Sequence, residues 1–223
     1  MSVITIERKV LEKNDELAAR NRAFFSQQGV FVVNLVSSPG SGKTSILERT
    51  LEYLAGRLPI AVIEGDVQTD FDAQRVAKFN VPVVQIVTNG GCHLDAKLVH
   101  DALGQLPIAG IRLLIIENVG NLVCPANYDL GEAIKVVVAS TTEGDDKPLK
   151  YPSMFLNASV LIVNKVDLLP YVSCSLAALK GNALRINPSL AVFETSCTTK
   201  QGIADWAEWL VKKSQASSLG GSR

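Results

Sequence analysis

Seven short apolar runs, rich in Val and Ile, are spaced along the chain with amphipathic segments between them. The runs are Phe31–Val36, Ile60–Ile63, Val83–Val87, Leu113–Ile116, Val136–Ala139, Leu161–Val163 and Ala191–Phe193. Continuously apolar runs of this length are typical of strands buried on both faces. The intervening segments, such as Thr44–Leu54 and Phe71–Phe79, have the period of a helix. The alternation predicts an α/β fold with a mostly parallel, doubly wound sheet of about seven strands and flanking helices.

The two ends of the chain differ from this pattern. An amphipathic helix is predicted from Ile6 to Gln28, because apolar pairs recur every seven residues, at Val10/Leu11, Leu17/Ala18 and Phe24/Phe25. The last ten residues contain Gly220–Gly221 and four serines and are expected to be disordered. We therefore predict an N-terminal helix packed on the domain (1–29), one domain (30–213) and a tail (214–223).

Charge and cysteine content narrow the function classes. Lys plus Arg and Asp plus Glu number 22 each, so no basic field favours nucleic acid as a partner. The apolar stretches are too short to cross a bilayer, and Met1–Glu16 lacks the pattern of a signal peptide. We therefore expect a cytoplasmic protein with no membrane partner, whose four cysteines are thiols or metal ligands rather than disulfides.

A phosphate-binding loop is predicted directly after the first run. The sequence from Ser37 to Thr44 is Ser-Ser-Pro-Gly-Ser-Gly-Lys-Thr, which misses the P-loop pattern only because Ser37 replaces its first glycine. Glycines let backbone N–H groups turn around phosphates, the lysine adds a positive charge, and the threonine hydroxyl suits Mg²⁺. The alternative is a Gly-Ser turn before a helix. The nucleotide-binding candidates are Pro39, Gly40, Ser41, Gly42, Lys43, Thr44 and Ser45.

The sixth run ends in Asn164-Lys165-Val166-Asp167, which resembles the guanine-specificity motif of GTPases. A carboxylate at Asp167 can accept from both the N1–H and the amine of guanine, whereas adenine would leave it unpaired. Asn164 would also brace the loop, and the stem of Lys165 would stack over the ring. The segment after the last run, including Ser196 and Cys197, stands where GTPases place a second guanine-contacting loop. A solvated turn is the alternative.

Carboxylates follow two runs beside the phosphate loop. Asp66 follows the second run and Glu117 the fourth, so Thr44, Asp66 and Glu117 are expected to hold Mg²⁺ directly or through water. Glu117 takes the place of the Asp in most GTPase Asp-x-x-Gly switches, and Gly120 would sense the γ-phosphate. Asp72 is a candidate for orienting the attacking water, or simply an exposed carboxylate at a helix start. Lys43, Asp66, Asp72 and Gly120 are therefore the catalytic candidates.

A cysteine and a histidine stand together after the third run, at Cys92 and His93, and Cys124 follows the switch. Both loops should lie at the same sheet edge, where thiolate and imidazole ligands suit Zn²⁺ or Ni²⁺. Three ligands leave a fourth position open or filled by a second copy of the chain. A buried thiol beside a chance histidine is the alternative.

Several of these motifs occur in a fixed order that resembles the family of hydrogenase nickel-incorporation GTPases, HypB, over roughly residues 5 to 213. The motifs are the phosphate loop, Glu-Gly-Asp-Val, Gly-Gly-Cys-His-Leu-Asp, Glu-Asn-Val-Gly-Asn-Leu-Val-Cys-Pro, Thr-Glu-Gly-Asp-Asp-Lys-Pro and Asn-Lys-Val-Asp. The Cys-His and Val-Cys-Pro elements are the specific ones. Some members carry an N-terminal Cys-rich or His-rich segment, whereas Met1–Val30 has neither residue, which argues against nickel storage by this segment.

The resemblance implies a P-loop GTPase, with GTP or GDP and Mg²⁺ as ligands, that delivers nickel during [NiFe]-hydrogenase maturation. It implies a GTP-dependent homodimer with Cys92, His93 and Cys124 at the interface, a site that can also bind zinc. It also implies a nickel-delivery accessory protein and the hydrogenase large subunit as partners. No arginine stands in the phosphate-loop or switch sequences, so slow turnover is expected. Lys147 and Lys150 are candidates for charge donated across the dimer, or residues of a solvated loop.

Three other classes stay open from the sequence. A urease-accessory GTPase shares the phosphate loop, the glutamate switch and Asn-Lys-x-Asp, but has Cys-Pro-His where this chain has Cys-His. A metal carrier could use nucleotide only to fix the dimer, and an ATP-using kinase is disfavoured by Asp167. Because Cys124 follows Gly120 closely, we expect nucleotide and metal binding to be coupled, with loss of the γ-phosphate displacing Cys124.

Overall fold

A single sheet of seven parallel strands forms the centre of the molecule. The structure is a computed structural model, and it describes residues 6–68 and 71–220. Its strands are β1 (Phe31–Ser37), β2 (Ile60–Asp66), β3 (Val83–Val87), β4 (Leu113–Glu117), β5 (Ile134–Ser140), β6 (Val160–Asn164) and β7 (Ala191–Glu194). Their order is β3-β2-β4-β1-β5-β6-β7, and all six neighbouring pairs are parallel. The predicted α/β fold is confirmed.

Helices cover both faces of the sheet. They are α1 (Ile6–Gln28), α2 (Lys43–Leu54), α3 (Phe71–Ala77), α4 (Ala96–Leu103), α5 (Lys147–Lys150), α6 (Pro152–Leu156), α7 (Leu176–Ile186) and α8 (Ile203–Gly220). Alternate residues of β1 explain the two layers, because Val33 packs with α2 and α8 while Val32 packs with α1 and α4. No helix in the described ranges is both long and apolar enough to span a membrane.

Only half of the predicted apolar stripe on α1 faces the domain. Ala18 and Phe25 are buried, whereas Val10 and Phe24 are 47% and 36% exposed. Adjacent helical residues point about 100° apart, so one member of each pair must turn outward. The buried face is completed by Asn14 and by Asn21, whose amide donates to the carbonyls of Ala96 and Leu130.

Helix α1 has the predicted bounds, Ile6–Gln28, whereas the C-terminal helix extends into the segment predicted as a tail. Helix α8 continues to Gly220 and so includes residues 214–220 of the predicted tail. Trp206 and Leu210 are buried against the sheet and anchor this helix, and the Ser214 hydroxyl donates to Val211 O at 2.9 Å. Residues 1–5 of the predicted N-terminal segment and 221–223 of the tail lie outside the described residues.

Candidate functional site

The phosphate loop connects β1 to α2 at the carboxyl edge of the sheet. Gly40 and Gly42 have φ values of 79° and 93°, which glycine adopts readily. A Cβ at Gly42 would lie 2.4 Å from Asn164 Nδ2, so this position needs glycine for space as well. Ser37, which replaces the first glycine of the motif, ends β1 and keeps a negative φ. The substitution therefore leaves the loop conformation intact.

This loop forms one wall of a cavity of about 540 Å³. Most phosphate-loop candidates line it together with predicted catalytic residues and one residue of the predicted guanine loop: Pro39, Gly40, Gly42, Lys43, Thr44, Ser45, Asp66, Asp72, Gly120 and Lys165. Ser41 is instead buried, where its hydroxyl donates to Glu143 Oε2 at 2.7 Å. The cavity thus combines the backbone at a helix start with two lysines, as phosphate binding requires, and with two carboxylates that suit a metal ion.

The predicted guanine loop is bound to the phosphate loop through two side chains. Asn164 Nδ2 donates to Ser41 O at 3.0 Å, and Lys165 Nζ donates to Gly40 O at 2.7 Å. Asn164 Oδ1 also lies 3.5 Å from Cys197 Sγ, which joins the last predicted loop to the same cluster. Burial raises the pKa of Cys197 to about 11. Asp167 lies in the following 3₁₀ turn (Val166–Tyr171), and Ser196 is fully buried beside Cys197.

Two buried glutamates stand side by side next to the cavity. Glu117 Oε1 accepts from Lys43 Nζ at 2.5 Å and Thr44 Oγ1 at 2.6 Å, and Oε2 has no hydrogen-bond partner among the described residues. Glu64 lies opposite Glu117 in the β2–β4 register. Burial, and then the charge of Glu117, raise the pKa of Glu64 to about 10, with Lys43 acting in the opposite direction. Asp66 ends β2, where its carboxylate accepts from Val67 N at 2.6 Å.

Sequence reasoning missed an arginine that also lines the cavity. Arg75 on α3 donates two hydrogen bonds to Glu48, at 2.9 and 2.6 Å, and one to Asp72 Oδ1 at 3.1 Å. Arg75 lies outside the phosphate-loop and switch sequences, and it reaches the site because α3 packs against α2. The spacing Asp72-x-x-Arg75 at the start of a predicted helix was the available signal.

The two candidate lysines for an intermolecular role differ in their surroundings. Lys147 Nζ lies 2.8 Å from Glu143 Oε1, and its side chain is only 14% exposed. Lys150 pairs with Asp146 at 2.7 Å, with 60% of its side chain exposed. Within one chain, Lys147 therefore stabilises the glutamate that binds Ser41, while Lys150 lies at the surface.

Cys92, His93 and Cys124 lie together at the same edge of the sheet. Their candidate ligand atoms are all within 4.8 Å of one another, with Cys92 Sγ 3.5 Å from His93 Nδ1. Contact with Cys124 raises the pKa of Cys92, and burial lowers the pKa of His93. The His93 ring packs on Tyr128 at a centroid distance of 4.0 Å. Two thiols and an imidazole at this spacing can bind one soft or borderline divalent metal ion.

A buried lysine that the sequence analysis did not identify supports the Cys124 loop. Lys135 Nζ donates to the carbonyls of Pro125, Ala126 and Tyr128 at 3.0, 3.2 and 3.0 Å. These carbonyls belong to the 3₁₀ turn Cys124–Asn127 and the residue after it. Because β5 begins at Ile134, earlier than predicted, Lys135 is part of the strand and points beneath this turn.

Comparison with known proteins agrees with the motifs. Residues 31–194 match the family described as "CobW/HypB/UreG, nucleotide-binding domain". The chain is 53% identical to the "Hydrogenase maturation factor HypB" of Azotobacter vinelandii over 211 residues, which are 95% of this chain and 70% of that protein. The chain belongs to the HypB family.

Two further similarities within the HypB family cover nearly the whole chain. The "Hydrogenase/urease maturation factor HypB" of Helicobacter hepaticus is 42% identical over 94% of this chain and 88% of that protein. The crystal structure of HypB from Helicobacter pylori in complex with nickel superposes with a TM-score of 0.87 at 38% identity, covering 92% of this chain and 96% of that one. The predicted family and P-loop fold are therefore confirmed.

Proposed function

We propose that this chain is a cytoplasmic, GTP-hydrolysing nickel metallochaperone that helps to insert nickel into [NiFe]-hydrogenase during maturation. One observation carries the proposal: the ligand atoms of Cys92, His93 and Cys124 lie close together. Cys124 is on the segment after β4 that also lines the phosphate cavity at Gly120. The names of the relatives and the nickel in the Helicobacter pylori protein support it.

Guanine nucleotide would lie between the phosphate loop and the loop that begins at Asn164. Lys43 and the amides at the start of α2 would bind the phosphates, and Asp167 would accept from the guanine edge. Contacts of Asn164 and Lys165 with the phosphate loop support a single site. Ser196 and Cys197 complete the base-facing loop.

The residues beside the cavity suit Mg²⁺. Thr44 and Glu117 are in contact, Asp66 lines the same cavity, and the second Glu117 oxygen is buried without a partner among the described residues, which a metal-bound water would satisfy. Bound Mg²⁺ would neutralise charge on the phosphate oxygens. Thr44, Asp66 and Glu117 are therefore the residues that would hold it.

Hydrolysis needs charge stabilisation and a positioned water. Lys43 would bind the β and γ phosphates, Gly120 would donate its N–H to the γ-phosphate, and Asp72 would orient the water. Arg75 is hydrogen-bonded to Glu48 and Asp72 at the cavity wall. It would therefore supply positive charge to the phosphates only after these hydrogen bonds have broken. This requirement is consistent with slow intrinsic turnover.

Nickel is the proposed cargo of the Cys92–His93–Cys124 site, and zinc would compete for the same thiolates. Three ligands leave room for a fourth from a second copy of the chain, which favours a GTP-dependent homodimer. Exposed Lys150 remains a candidate for contact across that dimer, whereas Lys147 would first have to leave Glu143. A nickel-delivery accessory protein and the hydrogenase large subunit are the proposed partners.

Two alternatives have specific support. The name of the Helicobacter hepaticus relative includes urease maturation, so a urease could be the recipient of the metal. A metal carrier in which nucleotide only controls the dimer is also consistent with the ion pairs that hold Arg75 and Lys147 within one chain.

The decisive experiment is a Ni²⁺ titration of the purified protein loaded with GDP or a non-hydrolysable GTP analogue, with molecular size measured in parallel. We expect one strong nickel site per chain that is lost in Cys124→Ala, and a dimer with the analogue. GTP turnover with and without Ni²⁺ separates the GTPase from the carrier. Equal binding of ATP and GTP, or nickel binding unchanged in Cys124→Ala, would contradict the proposal.

A further inference from the structure

The segment that follows β4 contacts both candidate sites within a few residues. At one end, Glu117 accepts from Lys43 and Thr44 of the phosphate loop. A Cβ at Gly120 would lie 3.2 Å from Pro39 N, so the segment packs directly against that loop. Movement of the phosphate loop must therefore be transmitted to this segment, because no space separates them.

We propose that Asn118 is the positioning residue through which the nucleotide cavity and the Cys92–His93 loop influence one another, an inference that rests on the function proposed above. Asn118 is 1% exposed. Its Oδ1 accepts from Leu94 N at 2.9 Å and from Val119 N at 2.9 Å. The Asn118 side chain thus links Leu94, which follows His93, to Val119 in the segment after β4.

The orientation of the Asn118 amide is fixed by a buried chain of hydrogen bonds. Asn118 Nδ2 donates to Asn34 Oδ1 at 3.2 Å, and Asn34 Nδ2 donates to Glu132 Oε1 at 3.0 Å. Asn34 lies on β1, the strand that enters the phosphate loop. Because both ends of the amide are bonded, Asn118 cannot rotate to follow Leu94 without breaking a buried hydrogen bond, which is costly.

A second asparagine reinforces the connection on the other side of the histidine. Asn121 Oδ1 accepts from Val123 N at 2.8 Å, and Asn121 Nδ2 donates to Cys92 O at 3.4 Å. The segment that follows β4 therefore contacts the backbone of Cys92 and Leu94, on either side of His93, and the amide of Val123, which precedes Cys124. A shift of this segment changes the spacing of the three candidate ligands.

The arrival of a nucleotide would disturb this connection at Glu117. The phosphates would compete for Lys43, and Mg²⁺ would compete for Thr44, so Glu117 would lose the two donors that it has here. A γ-phosphate would also accept from the N–H of Gly120, as proposed above, so the movement that reaches Asn118 and the amide of Leu94 would differ between GDP and the GTP analogue. Binding free energies are reciprocal, so metal at Cys92 and His93 must alter nucleotide affinity by the same factor.

The test compares the Kd for Ni²⁺ in the GDP and GTP-analogue states of wild type and Asn118→Leu. In wild type we expect the two values to differ by about 5-fold or more, and in the variant by about 2-fold or less. A purely structural role would change both values equally and preserve their ratio. Asn157→Ala is the matched control, because Asn157 donates to Ala126 O of the Cys124 turn without touching the switch, and it should keep the wild-type ratio.

A second measurement does not depend on the variant folding. The backbone amide resonance of Leu94, followed by NMR in metal-free wild type, should shift between the GDP and analogue states. A wild-type nickel ratio that persists in Asn118→Leu, or an unchanged Leu94 resonance, would overturn the inference alone. Failure of wild type to bind Ni²⁺, or equal affinity in both nucleotide states, would overturn the coupling proposed for the protein as well.

Discussion

Replacement of Lys135 by methionine should reveal how strongly the sheet supports the Cys124 loop. The Lys135 side chain is 8% exposed, its three hydrogen bonds all go to carbonyls, and Glu132 Oε1 lies 3.9 Å away. Burial lowers the pKa of Lys135, and the nearby Glu132 opposes that shift. Methionine retains the alkyl stem but removes the charge and every donor.

The loss of stability should be large because the substitution removes the positive charge beside Glu132 and the side-chain donor to the carbonyls of Pro125 and Tyr128. Breaking a buried ion pair by removing one member costs about 3–5 kcal/mol. Burial already raises the pKa of Glu132, so this carboxyl can take up a proton and limit the penalty. We therefore expect Lys135→Met to lower the free energy of unfolding by about 3 kcal/mol at neutral pH.

Urea unfolding followed by tryptophan fluorescence measures this difference, and Lys97→Met is the matched control. Lys97 pairs with Asp101 at 2.6 Å, but its side chain is 67% exposed, so its replacement should lower the free energy of unfolding far less than Lys135→Met does. Alkylation of Cys124 should also become faster in Lys135→Met, because the turn that starts at this residue loses its support. Equal stability of the two variants would refute the reasoning.

Three further predictions concern other parts of the molecule. Asp167→Ala should weaken GTP binding by roughly 2–4 kcal/mol, and Asp167→Asn should shift preference towards xanthosine nucleotides, which calorimetry can measure. With its pKa raised to about 11, Cys197 is almost wholly a thiol at pH 8. Iodoacetamide should therefore label it far more slowly than free cysteine, and the labelling rate should increase as the pH rises. Peptide mass spectrometry measures this rate, and a value equal to that of free cysteine would contradict the prediction. Gly131→Ala should destabilise the fold by about 2 kcal/mol, because a Cβ there would lie 2.7 Å from Ala18 O. Gly110 has a φ of 84° with open space around it, so Gly110→Ala should cause only backbone strain. Similar losses of unfolding free energy for the two variants in urea would contradict the steric clash at Gly131.

Much of the nucleotide site could be predicted because its residues are adjacent in the chain. A phosphate loop is one continuous segment between a strand and a helix, so its glycines, lysine and threonine can be recognised without tertiary information. Cys92 and His93 could be paired with Cys124 only through the rule that parallel strands end at the same edge of the sheet. That rule predicted the convergence of the three ligand atoms, and the structure shows it.

Residues whose roles depend on distant contacts could not be predicted. Lys135 and Asn118 look like ordinary polar residues beside apolar runs, and Arg75 looks like an exposed helical arginine. Their partners lie on other elements, so no local pattern marks them. The apolar pairs on α1 show the same limit, since periodicity identifies a stripe but not which of two adjacent positions packs against the domain.

The parallel sheet, the phosphate loop and the candidate ligands could be read from short segments of the sequence, because strand burial and loop chemistry are encoded locally. The connection between the two sites depends instead on tertiary packing. Asn118 reaches the amide of Leu94 because β4 ends beside the loop that carries His93, and Lys135 reaches the Cys124 turn because β5 passes beneath it. Such buried polar contacts form only after distant segments have packed, when each donor and acceptor must find a partner out of reach of water.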